Sequence, residues 1–157
     1  MPKSRKRRLA DRLVDVMNRW RGAPPSVGRV ALGFVVVLAY GTAVHVAQLV
    51  ATGFDPYPGL PGWLRSYFIS LTVLDPLAAV LLARRHRSGV VLAVAVLVSD
   101  AAANGVANYA LDPAAGITAG RVGHAVITML AVGACAVAPR LWRSAFPLLG
   151  GAGAPAS

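Results

Sequence analysis

The sequence contains no glutamate, and charged residues make up only 14% of its 157 positions. Soluble domains carry about 25% charged residues, so this composition excludes an ordinary soluble domain. A single cysteine, Cys135, excludes an intrachain disulfide. The sequence has no His-x-x-x-His or Cys-x-x-Cys pair, no glycine-rich phosphate loop, and no serine-hydrolase or zinc-protease signature. The common catalytic and metal-binding motifs are therefore absent.

The residues that are present are mainly hydrophobic, at 56% of the chain. A transmembrane helix needs about 20 mostly apolar residues. Four stretches meet that requirement: 30–50, 63–83, 89–109 and 117–137. The links between them are short, and short links favour antiparallel neighbours. We therefore predict an all-α membrane protein with four transmembrane helices in an up-down bundle.

The segments on either side of this bundle have different compositions. Residues 1–29 are predicted to form a basic cytoplasmic segment, and 30–145 the transmembrane domain. Apolar residues recur at helical spacing within the basic segment: Leu9, Leu13, Val16, Met17 and Trp20. This pattern predicts a short amphipathic helix that contacts the bilayer and its anionic lipid headgroups. Residues 146–157, rich in glycine and alanine, are predicted to be a disordered tail.

The net charge of +10 is distributed asymmetrically along the chain. Of the 16 Lys and Arg residues, 14 flank one side of the predicted spans, and only Arg65 and Arg121 lie toward the other. This arrangement follows the positive-inside rule and predicts cytoplasmic N- and C-termini, with the links around Asp55 and Asp112 outside. Arginine outnumbers lysine 14 to 2, which is typical of a GC-rich bacterium. We therefore predict a bacterial plasma-membrane protein that does not bind nucleic acid.

Two aspartates, Asp75 and Asp100, lie near the middle of apolar spans. A charged group at membrane depth costs a few kcal/mol on insertion scales, so such residues usually have a function or a partner. Asn104 and Asn108 follow Asp100 at positions i+4 and i+8, which places the three on one helix face. Pro76 follows Asp75 and predicts a kink beside its carboxylate.

The first and fourth spans also contribute polar residues. His45 and Gln48 share a helix face with Gly41, and Arg121 shares one with His124. We predict that all four helices surround a pocket that opens outward, with the aspartates as its floor. The candidate residues for a ligand or proton are Asp75, Asp100, Asn104, Asn108, His45, Gln48, Arg121 and His124.

Several functions are compatible with such a pocket. We favour small-molecule, ion or proton binding, or support of transport, in a chain that need not be an enzyme and forms a homo-oligomer or membrane complex. In a second interpretation the polar residues only hold the helices together, and Asp100 pairs with Arg121 or His124. A third is acid/base catalysis on a lipid-derived substrate. A fourth is a haem or metal site at His45 and His124, although we predict no cofactor.

Overall fold

Four long helices make up most of the structure, a computed structural model that describes residues 11, 13–53 and 56–146. These helices are α1 (Pro25–Thr52), α2 (Gly62–Ala83), α3 (Arg87–Gly105) and α4 (Ala119–Ser144). Each is long and apolar enough to cross a membrane. The described residues contain no named strand. The predicted all-α membrane fold is therefore confirmed; the predicted disordered tail lies outside the described residues, apart from its first residue.

Two helix ends near prolines differ from the hydropathy pattern. Helix α1 starts at Pro25, earlier than the predicted residue 30, because proline is favoured in the first helical turn, where its missing N–H is not needed. Helix α4 continues through Pro139 to Ser144, since one proline removes a single helical hydrogen bond near the helix end. Helix α2 runs without interruption through Pro76, and the kink there stays a prediction.

Helix α3 changes its hydrogen-bonding pattern at the end opposite to Arg87. Residues Val106–Leu111 form a π-helix that continues α3 directly, and Asp112 ends it. A π-helix inserts an extra residue into the turn and is frequent at functional sites. Asn108 lies within this wider turn, so its position relative to Asn104 differs from that in an ideal α-helix.

Helices α2 and α3 form the centre of the bundle. Helix α1 packs on α2, α2 on α3 and α3 on α4, whereas α1 and α4 meet much less closely. Leu64, Leu71 and Leu82 of α2 are completely buried. The two aspartates belong to these two central helices, while α1 and α4 leave a larger share of their apolar surface free to contact lipid.

The helix ends that carry most of the arginines lie at one end of the bundle, and the N-terminal segment packs there. We call this end of the bundle the basic end. A short helix over residues 13–19 leads to Trp20, which is buried and donates through Nε1 to the Leu82 carbonyl at 3.3 Å. Val16 packs on the same core. Met17 remains exposed, and Leu9 lies outside the described residues. The predicted short helix is present and packs on the bundle.

Arg85 lies in the link between α2 and α3 and contacts both the N-terminal segment and the C-terminal end of α4. It is buried, with 8% of its surface exposed. Its Nε donates to the Ser144 carbonyl at 2.5 Å, and Nη1 donates to the Arg19 carbonyl at 3.3 Å. The guanidinium also lies over the rings of Trp20 and Phe146. The sequence analysis treated Arg85 only as one of the basic residues that set the membrane orientation. Its contacts with these segments became evident only from the structure.

Candidate functional site

Asp75 of α2 and Asp100 of α3 lie in neighbouring helices of the bundle, near enough for their charges to interact. Asp75 is 5% exposed, Asp100 is half-buried, and the two carboxylates are close enough to repel each other electrostatically. Within residues 11, 13–53 and 56–146, neither carboxylate forms an ion pair, and Asp75 accepts no hydrogen bond. The centre of the bundle therefore holds two acidic groups without a basic partner from the described residues.

Helix α1 packs closely against the Asp75 carboxylate. A Cβ atom added at Gly41 would lie 2.5 Å from Asp75 Oδ2, which is closer than any side chain tolerates. A larger residue at position 41 would therefore force the Asp75 carboxylate to shift. Gly41 lies on the same helix face as His45 and Gln48, and that shared face was the sequence signal for its role.

A hydrogen-bonded ladder extends from Asp100 toward the end opposite to the basic end. Asn104 Nδ2 donates to Asp100 Oδ1 at 2.9 Å and to the Asp100 carbonyl at 3.0 Å. Asn108 Nδ2 donates in turn to the Asn104 carbonyl at 2.9 Å. The structure therefore joins these three candidate residues along one side of α3 and its π-helix.

Arg121 binds backbone carbonyls at the end of this ladder. Its Nε donates to the Asn108 carbonyl at 3.2 Å, and its other nitrogens donate to the carbonyls of Gly116 and Ala114 at 2.5 and 2.6 Å. The guanidinium also lies 5.1 Å from the Tyr109 ring centroid. The structure thus does not form the Asp100–Arg121 pair that the helix-holding interpretation included, because these carbonyls occupy the guanidinium.

His45 and Gln48 of α1 share a partner that the sequence analysis missed, Tyr57. The Tyr57 hydroxyl donates to Gln48 Oε1 at 2.5 Å and lies 3.1 Å from His45 Nδ1. Since the hydroxyl proton is directed to Gln48, the His45 tautomer that fits is the one whose Nδ1–H donates to the phenol oxygen. Burial, followed by the Asp100 charge, raises the pKa of Tyr57 to about 12. Tyr57, which lies in the link after α1, therefore interacts electrostatically with the Asp100 carboxylate.

Three aromatic side chains, Tyr57, Tyr67 and Phe68, form what we call the aromatic cap. The Phe68 ring is buried and lies 5.0 Å from the Tyr57 centroid and 5.7 Å from the Tyr67 centroid. Phe68 precedes Asp75 by two turns of α2, so the cap lies between the carboxylates and the end opposite to the basic end. The Tyr67 hydroxyl shares a hydrogen bond of 2.8 Å with Ser99 Oγ, one residue before Asp100.

Three cavities formed by the described residues lie away from the predicted pocket. They are formed by the described residues of α1 and α4, of α3 and α4, and of the basic end, and none is lined by any of the eight candidate residues. Aromatic rings occupy the volume next to His45 instead. The polar residues therefore meet through hydrogen bonds and rings rather than around one of these cavities.

His124 has surroundings of its own. A Cβ atom at Gly105 would lie 3.2 Å from His124 Cε1, and the Tyr109 ring packs on the imidazole edge at 5.3 Å. Its Nδ1 is buried and without a partner among the described residues. His45 contacts different residues, and in the described part of the chain no three His, Cys, Asp or Glu side chains gather as metal ligands do. The haem or metal interpretation of His45 and His124 therefore stays a prediction.

Comparison of the chain with protein-family models, curated proteins and solved structures gave no match.

Proposed function

We propose that this protein reversibly binds a proton at the Asp75–Asp100 carboxylate pair. One observation carries the proposal: two mutually repelling carboxylates lie in the centre of an apolar bundle, and no described basic residue pairs with either. An uncompensated buried charge is strongly unfavourable in a low-dielectric interior. A bound cation removes that cost, and binding and release of the cation then change the charge of the bundle interior.

The surroundings of the pair favour a proton over a metal cation. Hard cations such as Mg²⁺ and Ca²⁺ require six or more oxygen ligands at defined distances. Here Gly41 packs directly on Asp75 Oδ2, and Asn104 Nδ2 already occupies Asp100 Oδ1. A proton needs no coordination shell, so it neutralises the pair without displacing either contact.

Two polar paths lead from the pair away from the basic end. The first is the ladder from Asp100 through Asn104 and Asn108. The second passes by the hydroxyl of Tyr57, which interacts with the Asp100 charge and contacts His45. Both sets of polar groups extend toward the end of the bundle whose links the sequence predicts to lie outside. We therefore propose that the pair exchanges protons with the outer medium.

The proposal includes an orientation in the plasma membrane, with the basic end in the cytoplasm. It rests on the arginine distribution and the positive-inside rule. The basic N-terminal segment would then lie at the inner leaflet and contact anionic headgroups, while Val14 and Met17, both exposed, would contact the bilayer. In a Cys135→Ser background, a membrane-impermeant maleimide added outside cells should label Asp112→Cys and not Arg84→Cys. The reverse pattern would overturn the orientation.

The helix-holding interpretation is favoured for one part of the candidate set. Arg121 of α4 binds one carbonyl of the π-helix and another within the α3–α4 link, and a Cβ at Gly120 would clash with the Asn108 amide. These contacts fix the π-helix against α4. We therefore propose structural roles for Asn108 and Arg121 and reserve proton binding for Asp75 and Asp100.

Proton uptake by oriented proteoliposomes tests the function. An acid pulse is applied outside, and an external pH-indicating dye counts the protons bound. Wild-type protein should take up about one proton per chain more than the Asp75→Asn/Asp100→Asn double variant, because the coupled pair titrates as a unit. Asp15→Asn, which changes an exposed aspartate at the basic end, is the control and should match wild type. Equal uptake by all three proteins would refute the proposal, and uptake replaced by sodium binding would refute the choice of proton.

A further inference from the structure

A groove runs along the lipid-facing side of the bundle between α3 and α4. It is an open groove of about 660 Å³, lined by residues of α3 from Val90 to Ala102, all apolar except Ser99, and by the α4 residues Ala138, Pro139 and Trp142. A second cavity of about 660 Å³ continues it to Arg87 and Ser88. The two cavities share Val91, Ala95 and Trp142 as lining residues, so they adjoin each other, and we treat them together as one groove.

The groove is longer than the hydrocarbon depth of one bilayer leaflet. Along α3 it extends from Ser88 to Ala102, which at the α-helical rise corresponds to roughly 21 Å. One leaflet contributes about half of the roughly 30 Å hydrocarbon core. An acyl chain lying in the groove would therefore be covered over its whole depth, with its polar end at the basic end of the bundle.

The basic end of the groove holds hydrogen-bond donors that the protein leaves unused. Arg87 Nε and Ser88 Oγ are both buried and have no hydrogen-bond partner among the described residues. The Arg87 guanidinium is held over the Trp142 ring at 5.2 Å. None of the residues that line either cavity is acidic. The Arg87 guanidinium, the Ser88 hydroxyl and the N-terminus of α3 thus lie at the same end of the groove. Each of them favours binding of a negatively charged phosphate group.

We propose that this groove is a binding site for an anionic phospholipid. Its phosphate accepts hydrogen bonds from Arg87 and Ser88, and one acyl chain lies along α3 between Val90 and Ala102. Charge complementarity selects an anionic headgroup, because the lining supplies a cation and no carboxylate. This site is separate from the carboxylate pair and does not depend on the proposed function.

Quenching of Trp142 fluorescence by brominated lipids tests this site. The protein is reconstituted with brominated phosphatidylglycerol or brominated phosphatidylcholine at equal mole fractions, and Trp142→Phe defines the Trp142 signal. We expect phosphatidylglycerol to associate about tenfold more strongly, as one charge-assisted hydrogen bond permits. Equal quenching by the two lipids would overturn the proposal.

Two matched variants separate the site from general charge attraction. Arg87→Gln should abolish the preference, whereas Arg84→Gln, which removes the same charge from an exposed neighbour, should retain it. Equal losses in both would show attraction by surface charge and overturn the proposal. Ser88→Ala provides a second, milder variant and should weaken the preference. Full displacement by soluble glycerol phosphate would assign the site to a free phosphate compound and overturn the choice of a lipid.

Discussion

Replacement of Arg85 should destabilise the bundle far more than replacement of its exposed neighbour Arg84. Arg85→Gln removes the charged donors to the carbonyls of Ser144 and Arg19 and the contacts with two aromatic rings. A hydrogen bond from a charged group contributes about 1.5–3 kcal/mol, and a cation–π contact about 0.5–2 kcal/mol. Because the 3.3 Å bond is long and water can reach freed carbonyls near the surface, we expect a loss of about 3 kcal/mol.

The free energy of unfolding in bicelles measures this loss, with Trp20 fluorescence as the readout. Arg84→Gln is the matched control because Arg84 is exposed, and it should change stability by less than about 0.5 kcal/mol. Arg85→Gly is informative as well, since Arg85 has a φ of 63°. Glycine relieves that conformation at a saving of about 1 kcal/mol, so this variant should be less harmful than glutamine. Equal stabilities for Arg84→Gln and Arg85→Gln would refute the role of Arg85.

Three further predictions follow from the site. The Tyr57 phenol should ionise at about pH 12 in an ultraviolet titration. Its raised pKa stabilises the fold below about pH 10, and that stabilisation is lost between about pH 10 and 12, so the loss should be smaller in Tyr57→Phe than in the wild type. Gly41→Ala should destabilise the protein by about 1–3 kcal/mol through contact with Asp75, whereas Gly33→Ala, with open space around it, should not. Both Arg121→Lys and Arg121→Gln should speed amide hydrogen exchange over Val106–Leu111, because neither residue reproduces the guanidinium geometry; unchanged exchange would contradict that role.

The sequence was sufficient to predict the helices because hydropathy and length determine membrane spans directly. It also predicted the side-chain alignment of Asp100 and Asn104, which the helical period dictates. The sequence predicted in part that Asp75 and Asp100 lie close together, because both lie at the middle of their spans. That they belong to the two central helices required knowledge of the packing.

Other features depend on contacts that no local pattern encodes. The π-helix that contains Asn108 arises from a change in backbone hydrogen bonding, and hydropathy does not report that change. Tyr57 lies within the turn-forming link after α1, so its contact with His45 was not predictable from spacing. Arg85 lies in a basic link whose charge alone satisfies the positive-inside rule. The burial of Arg85 depends on its contacts with Trp20 and Ser144, which are distant from it in the sequence.

The protonation state of the carboxylate pair is the central claim, and infrared spectroscopy of the reconstituted protein measures it most directly. A protonated carboxyl group gives a C=O stretching band that an ionised carboxylate lacks. We predict one such band at neutral pH in the wild type and in Asp15→Asn, and its absence from the Asp75→Asn/Asp100→Asn double variant. A wild-type spectrum without this band, or a band that persists in the double variant, would contradict the assignment of a proton to Asp75 and Asp100.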